Sequence, residues 1–322
     1  MRHEPYAAPP WLPGGHAQTL YAPLLGGGDD IAYRRERWDT PDGDFIDLDW
    51  SEGGSSGPWV VLFHGLEGNS RSHYALALMR ELQARGWGGV VAHFRGCSGE
   101  PNRLPRAYHS GDSAEIGWVL GRLRGRLAGP LFAAGVSLGG NALLKWLGEQ
   151  AEAAAALVTA AAAVSAPLDL TLSGDALARG LNRVYTWHFL ASLRPKGLAK
   201  LGPHPGLYDR RAVARASTLR EFDNLVTAPV HGFRDTDDYW TRASSKPLIG
   251  RIHVPTLVLN ARNDPFVPPP CLPAPQDAGP GVILEFPDEG GHVGFVTGPF
   301  PGNIRWLPRR VLDFFADTLP GG

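Results

Sequence analysis

The serine at position 137 stands in a setting suited to nucleophilic chemistry. Gly135-Val136-Ser137-Leu138-Gly139 joins an apolar run, Leu131 to Val136, to a stretch of helical periodicity, Leu138 to Gln150. A strand–turn–helix junction carrying G-x-S-x-G lifts the serine Oγ above a sheet edge. The flanking glycines remove Cβ clashes in a strained turn. The helix N-terminus that follows offers N–H groups and a dipole to developing negative charge. A hydroxyl is a weak nucleophile at neutral pH, so it needs a general base, and the base needs an orienting group. In this turn type the chain order is serine, acid, histidine. Asp264 lies just past the apolar run Val254 to Asn260, before Pro265-Phe266. His292 lies past the next run, Val282 to Phe286, between Gly290-Gly291 and Gly294, and no other of the eleven histidines follows Asp264. The expected chemistry is acyl transfer through a covalent acyl-serine.

Rival residues fit less well. Gly53-Gly54-Ser55-Ser56-Gly57 also matches the short pattern, but it connects two strand candidates, so Ser55 has no helix behind it. Asp235, Asp237 and Asp238 lie away from any strand tip, and Asp288 is too close in sequence to His292. Cys97 has no base assigned to it. An oxyanion hole needs two N–H donors. One is expected from Leu138, directly after the nucleophile. The other is expected from Leu66, in the His64-Gly65-Leu66-Glu67-Gly68 loop after the run Trp59 to Phe63, with His64 bracing that loop. The loop Phe94 to Asn102 is expected to be a turn rigidified by Gly and Pro in which Arg95 pairs with a carboxylate, with a loop lining the pocket rim as the alternative. Tyr108 to Asp112 reads as a helix entry capped by Ser110 or Asp112.

The elements that must position these groups are legible as alternating patterns. Strand candidates are 45–50, 59–63, 89–94, 131–136, 156–164, 254–260 and 282–286; helical patterns cover 72–85, 112–127, 138–150 and 303–318. Continuous apolar strands alternating with helices predict an α/β fold with a mostly parallel sheet covered on both faces. Phe45 to Trp50 instead alternates apolar and acidic residues, the pattern of a half-buried strand. Residues 168–253 carry no strand pattern and are rich in aromatics, which predicts a helical cap inserted into a single 1–322 domain. Residues 1–35, rich in Gly and Pro, read as an extended arm.

Composition narrows the function classes. The 322 residues are 43% hydrophobic and 20% charged, with a net charge of −1. No basic field is present to attract nucleic acid. Two distant cysteines, Cys97 and Cys271, make neither a disulfide framework nor a zinc cluster. There is no signal peptide pattern and no apolar run long enough for a membrane span, so a cytoplasmic location is expected. Nucleotide-binding fingerprints are missing, and neither cofactor nor metal is expected.

Longer motifs carry a resemblance. HAQTL at 16–20, DGDFIDLDW, LFHGLEGNSRSHY, HFRGCSGEPNRLPRAYHSGD, GVSLGGNALLKWLGE and LNARNDPF resemble the YheT-like (EMB8-type, ABHD1/ABHD3-related) family of the α/β-hydrolases, over nearly the whole chain. The resemblance continues from Asp223 through Asp238-Tyr239 to Asp264-Pro265-Phe266, with Trp240 where the family has Tyr. It implies an α/β-hydrolase fold and a charge-relay set of Ser137, Asp264 and His292. It also implies hydrolysis of carboxylic esters, short- to medium-chain acyl esters or acylglycerol-like lipids. Some fungal relatives pass the acyl group to an alcohol, and many animal and plant relatives carry a membrane anchor for which this sequence shows no span. The readings carried forward are a serine esterase first, then an acyltransferase or thioesterase, then a non-catalytic binding protein. Dehalogenases and epoxide hydrolases of this fold use Asp at the nucleophile position, which Ser137 disfavours.

Overall fold

A computed structural model describes residues 4–27, 31–52 and 57–319; Ser55 lies outside them. Eight strands form one sheet: β1 (Arg34–Asp39), β2 (Phe45–Ser51), β3 (Trp59–Phe63), β4 (Gly88–Ala92), β5 (Leu131–Val136), β6 (Ala160–Val164), β7 (Thr256–Leu259) and β8 (Val282–Glu285). Their order is β1-β2-β4-β3-β5-β6-β7-β8. The first two pairings are antiparallel and the rest parallel.

The helices follow in chain order: α1 (Gly15–Leu25), α2 (His73–Ala84), α3 (Ser113–Arg124), α4 (Leu138–Gln150), α5 (Leu170–Leu177), α6 (Arg183–Lys200), α7 (Arg210–Arg215), α8 (Leu219–Phe222), α9 (Ala228–Val230), α10 (Thr236–Ala243) and α11 (Trp306–Asp317). A π-helical turn, Asp223–Thr227, joins α8 to α9.

Side-chain alternation along the central strands feeds two cores. Val61 and Phe63 of β3 pack with Ile116 of α3 and Leu143 of α4. Val60 and Leu62 pack with Met79 of α2 and Phe315 of α11. Both faces are dry, so these strands read as unbroken apolar runs. Each fully buried Val or Leu contributes roughly 1.5–3 kcal/mol relative to exposure.

Three elements differ from the sequence reading. The stretch 1–35, read as extended, holds α1; prolines and glycines around it, and Pro23 inside it, obscure an eleven-residue helix. β1 (RRERWD) has no apolar alternation because it is an outer strand held by charge. Arg35 meets Asp49 at 2.7 and 2.8 Å, and Arg37 meets Asp47 at 2.7 and 2.9 Å. Those same pairs let β2 be buried along its whole length instead of keeping a wet acidic face. Between β6 and β7 the chain forms α5 to α10, with no strand.

Candidate functional site

The β5–α4 junction places Ser137. Its backbone sits at φ 53°, ψ −120°, a conformation an L-residue holds only under constraint. Two close approaches explain the motif glycines. A Cβ on Gly135 would lie 2.6 Å from the Gly139 carbonyl oxygen, and one on Gly139 would lie 2.3 Å from the Phe63 oxygen. The turn is pinned by the Ser137 N–H, which donates to the Val164 oxygen at 2.8 Å.

His292 comes from the loop after β8, and Asp264 from the loop after β7. His292 Nε2 lies 3.0 Å from Ser137 Oγ. Its Nδ1 lies 2.9 and 3.1 Å from the two Asp264 carboxylate oxygens. An Nδ1–H between two carboxylate oxygens fixes the tautomer, leaving Nε2 to accept the Ser137 proton. The Asp264 side chain is fully buried. One of its oxygens also accepts the Phe266 N–H at 2.8 Å and the Val267 N–H at 3.3 Å. The Phe266 ring lies against the imidazole, centroids 4.1 Å apart. The three groups can therefore carry a proton from hydroxyl to imidazole and hold the resulting cation.

The loop after β3 faces the serine. A Cβ on Gly65 would lie 3.2 Å from Ser137 Cβ. The loop is held from behind: the Gly65 N–H donates to Tyr74 Oη and the Glu67 N–H to Tyr108 Oη, both at 2.9 Å. Glu67 itself takes Lys196 of α6 at 2.7 Å and the Ser192 hydroxyl. Among the described residues, neither the Leu66 nor the Leu138 N–H has a hydrogen-bond acceptor, and both residues line the same cavity as Ser137. His64 is fully buried; its Nε2 accepts the Phe94 N–H at 3.0 Å and its Nδ1 donates to the Gly65 oxygen at 2.7 Å. Burial pushes it down to about 3, so it stays neutral.

Of the remaining candidates, Arg95 and Cys97 line the cavity that Ser137 faces, and Asp112, Asp235, Asp237 and Asp238 do not. Arg95 pairs with Glu115 at 2.6 Å, Asp42 at 2.8 Å and Asp44 at 3.3 Å. Burial pushes the Cys97 thiol up to about 12, so it is not a thiolate. Asp112 precedes α3 without capping it; its carboxylate is taken by Arg106 at 2.6 Å, the stronger partner. Asp235 caps α10, Asp237 pairs with Arg220, and Asp238 pairs with Arg234 and Arg242. None of the three reaches His292.

Helix α1 supplies groups that the sequence reading passed over. Thr19 Oγ1 accepts the His292 backbone N–H at 2.8 Å and donates to the Gly15 oxygen at 2.6 Å. Gln18, fully buried, accepts the Gly290 N–H at 2.8 Å and the Asn263 amide at 3.2 Å, and donates to the Leu12 oxygen at 3.1 Å. Asn263 Oδ1 takes the Gly291 N–H at 2.9 Å. The α1 start is so close that a Cβ on Gly15 would lie 2.0 Å from the Asn263 oxygen. These bonds tie the Asp264 and His292 loops to each other. Adjacent Gln and Thr within the apolar stretch of HAQTL were the available signal.

Ser137 and His292 line two cavities. One, of about 800 Å³, runs under α5, α6 and α10 and is walled by apolar residues such as Leu170, Leu177, Phe189 and Trp240. Trp240 Nε1 donates to Asp223 at 2.9 Å, and its ring fills the space where a Gly174 Cβ would stand, 2.3 Å away. The other, of about 600 Å³, opens between α1 and α6.

A family model described as the alpha/beta hydrolase fold matches residues 58–299. The Escherichia coli (strain K12) protein YheT, named as an esterase, is 39% identical over 94% of this chain and 91% of its own length. Mus musculus phospholipase ABHD3 is 31% identical over 99% of this chain and 80% of its own. Among solved structures, the Pyrococcus furiosus esterase Pf2001 gives a TM-score of 0.56 at 16% identity, covering 89% of this chain and 93% of that one. That likeness speaks to the fold alone. The chain belongs to the α/β-hydrolase family, in its YheT-like branch related to ABHD3 and EMB8.

Proposed function

We propose that this chain is a serine hydrolase of carboxylic esters, with Ser137 as nucleophile, His292 as general base and acid, and Asp264 orienting the imidazole. The observation that carries the reading is the continuous hydrogen-bonded chain from Asp264 through His292 to Ser137 Oγ, 3.0 Å from Nε2. Ser137 Oγ bonds to the acyl carbon while its proton passes to His292 Nε2. The Leu138 and Leu66 N–H groups hold the oxyanion. The intermediate collapses, the C–O bond to the alcohol breaks, and His292 returns the proton to the departing oxygen. Water, deprotonated by His292, then attacks the acyl-serine and releases the acid.

The large apolar cavity supports a medium-chain acyl group, such as that of an acylglycerol-like lipid. The relatives' names, esterase and phospholipase, support the same class. An ester series from acetyl to palmitoyl, assayed with wild type and Ser137→Ala, tests both parts. Wild-type turnover peaking at a medium chain and lost in the variant is expected; a variant with wild-type turnover sinks the assignment. A second reading, acyl transfer to an alcohol, is favoured by the second cavity beside Ser137, which has room for an acceptor other than water. Added alcohol that never diverts product from acid to ester removes that reading.

A further inference from the structure

Among the described residues, eight large apolar side chains stand exposed, and seven of them gather around α1 and the α5–α6 region. Leu20 and Leu24 lie one turn apart on α1, 57% and 75% exposed. Leu181, Val184 and Trp187, 60% to 71% exposed, cluster where the chain enters α6, with Leu172 of α5. Phe300 meets Trp11 edge to face, and Trp11 meets Tyr21 of α1 in the same way. The two groups are neighbours, because His16 Nδ1 of α1 meets Tyr185 Oη of α6 at 3.1 Å and the rings stack. Single exposed apolar residues are ordinary; a cluster of this kind marks an interaction surface.

The cluster lies beside the opening of the smaller cavity. Thr19 and Pro23 of α1 line that opening on one side, His188 and Phe189 of α6 on the other, and Ser137 and His292 line it too. Trp187 is therefore the immediate chain neighbour of the opening's wall.

Charge selects the partner. Arg179 and Arg183 are exposed on either side of Leu181, and neither has a carboxylate within ion-pair distance among the described residues. Helix α1 carries no Asp, Glu, Lys or Arg, and the nearby Asp175 is taken by Arg220. A second copy docked through the α6 entry about a two-fold axis would set these arginines against each other. A lipid surface meets both features at once, with acyl chains for the apolar residues and phosphates for the arginines. We propose that the face formed by α1 and the start of α6 docks on a lipid surface bearing anionic headgroups, so that ester substrate enters the site directly from the lipid. The choice of lipid over protein rests on the ester-hydrolase reading; the binding test below does not.

The test is flotation of the full chain with vesicles of phosphatidylcholine, with and without phosphatidylglycerol. Wild type and Ser137→Ala should both float with the anionic vesicles. A Leu181→Ser, Val184→Ser, Trp187→Ser triple variant should bind at least about tenfold more weakly. An Arg179→Glu, Arg183→Glu double variant should lose the preference for anionic vesicles. Both variants should keep the wild-type circular dichroism and the wild-type rate on a monomeric acetyl ester. Absence of wild-type flotation overturns the proposal, as does undiminished binding by the triple variant. So does a wild-type dimer, seen by sedimentation, that the triple variant dissociates. Vesicle binding by a chain inert toward every ester would instead retire the hydrolase reading and leave the docking surface standing.

Discussion

Thr19 holds His292 by its backbone: the threonine hydroxyl accepts the His292 N–H at 2.8 Å, across most of the chain's length. This bond sets where the imidazole stands relative to Ser137. Thr19→Val removes the acceptor while keeping the shape. With small displacements at a reacting centre costing up to about 10²-fold, kcat should fall by about ten- to a hundredfold. KM for a short ester should change little, and Thr19→Ser should restore the rate. Steady-state kinetics on acetyl and butyryl esters check this, and unchanged kcat in the valine variant removes the positioning role.

Gln18 acts on stability. Replacing it by Leu strands the Gly290 N–H and the Asn263 amide in a buried setting. An unsatisfied buried polar group costs about 1–3 kcal/mol. A chain of this length should lose several degrees in Tm, read by calorimetry, with the acyl-chain preference intact.

The proposed triad should behave as a unit. Ser137→Ala and His292→Ala should each lower kcat by several powers of ten, and the double variant should lose scarcely more, because groups that act together are not additive. Asp264→Asn should leave a measurable remainder, since Nε2 still faces Oγ but the tautomer is no longer enforced. Single-turnover rates with p-nitrophenyl esters measure this, and additive losses would argue against one shared mechanism.

Chain-length preference should respond at Gly174. Its missing Cβ leaves the room that the Trp240 ring occupies. Gly174→Ala drives that ring toward the acyl cavity. KM should rise several-fold for octanoyl and longer esters while acetyl ester kinetics stay put. An equal effect on all chain lengths would mean the ring does not bound the acyl site.

Acid should destabilise the fold from about pH 6.5 downward. Burial holds His64 and His109 down to about 3 and His73 to about 4, so the native state keeps them neutral. The unfolded chain protonates them below about 6.5. Between those limits the unfolded state binds more protons, so stability falls as pH falls, by about 1.4 kcal/mol per pH unit for each histidine. Asp223, pushed up to about 6 by burial, and Glu115, also raised by burial, act in the opposite sense. With His231 also pushed down, the histidines outnumber them. Calorimetric Tm should therefore drop from pH 7 to pH 5, and His73→Gln, which keeps a donor for the Val293 oxygen, should flatten that slope.

What could be read from the sequence follows a physical line. β3 and β5 are dry on both faces, so their composition alone marks them. Ser137 and Asp264 follow such strands and His292 follows the half-buried edge strand β8, each within glycines or before a proline, and local chemistry announces a strand end. β1 is recorded differently: beside its one buried residue, Trp38, Arg35 and Arg37 reach the acids of β2, a pairing that exists only once two strands are side by side. Asp112 shows the same limit. Its position suited a helix cap, but Arg106 competes for the carboxylate through tertiary placement. The support that Gln18 and Thr19 give to His292 spans more than 270 residues, and no local pattern encodes it.

The charged ladder between β1 and β2 bears on how this chain behaves in company. β1 is the sheet's first strand, and among the described residues no other strand pairs with its outer side. An apolar strand in that place would invite neighbouring molecules to add to the sheet. Here an incoming strand meets Arg34, Arg35, Glu36 and Arg37 in succession, and would have to disturb guanidinium–carboxylate pairs to settle. The residues that brace β2 thus also guard against aggregation, and neutral replacements at Arg35 and Arg37 should show it first as turbidity on concentration.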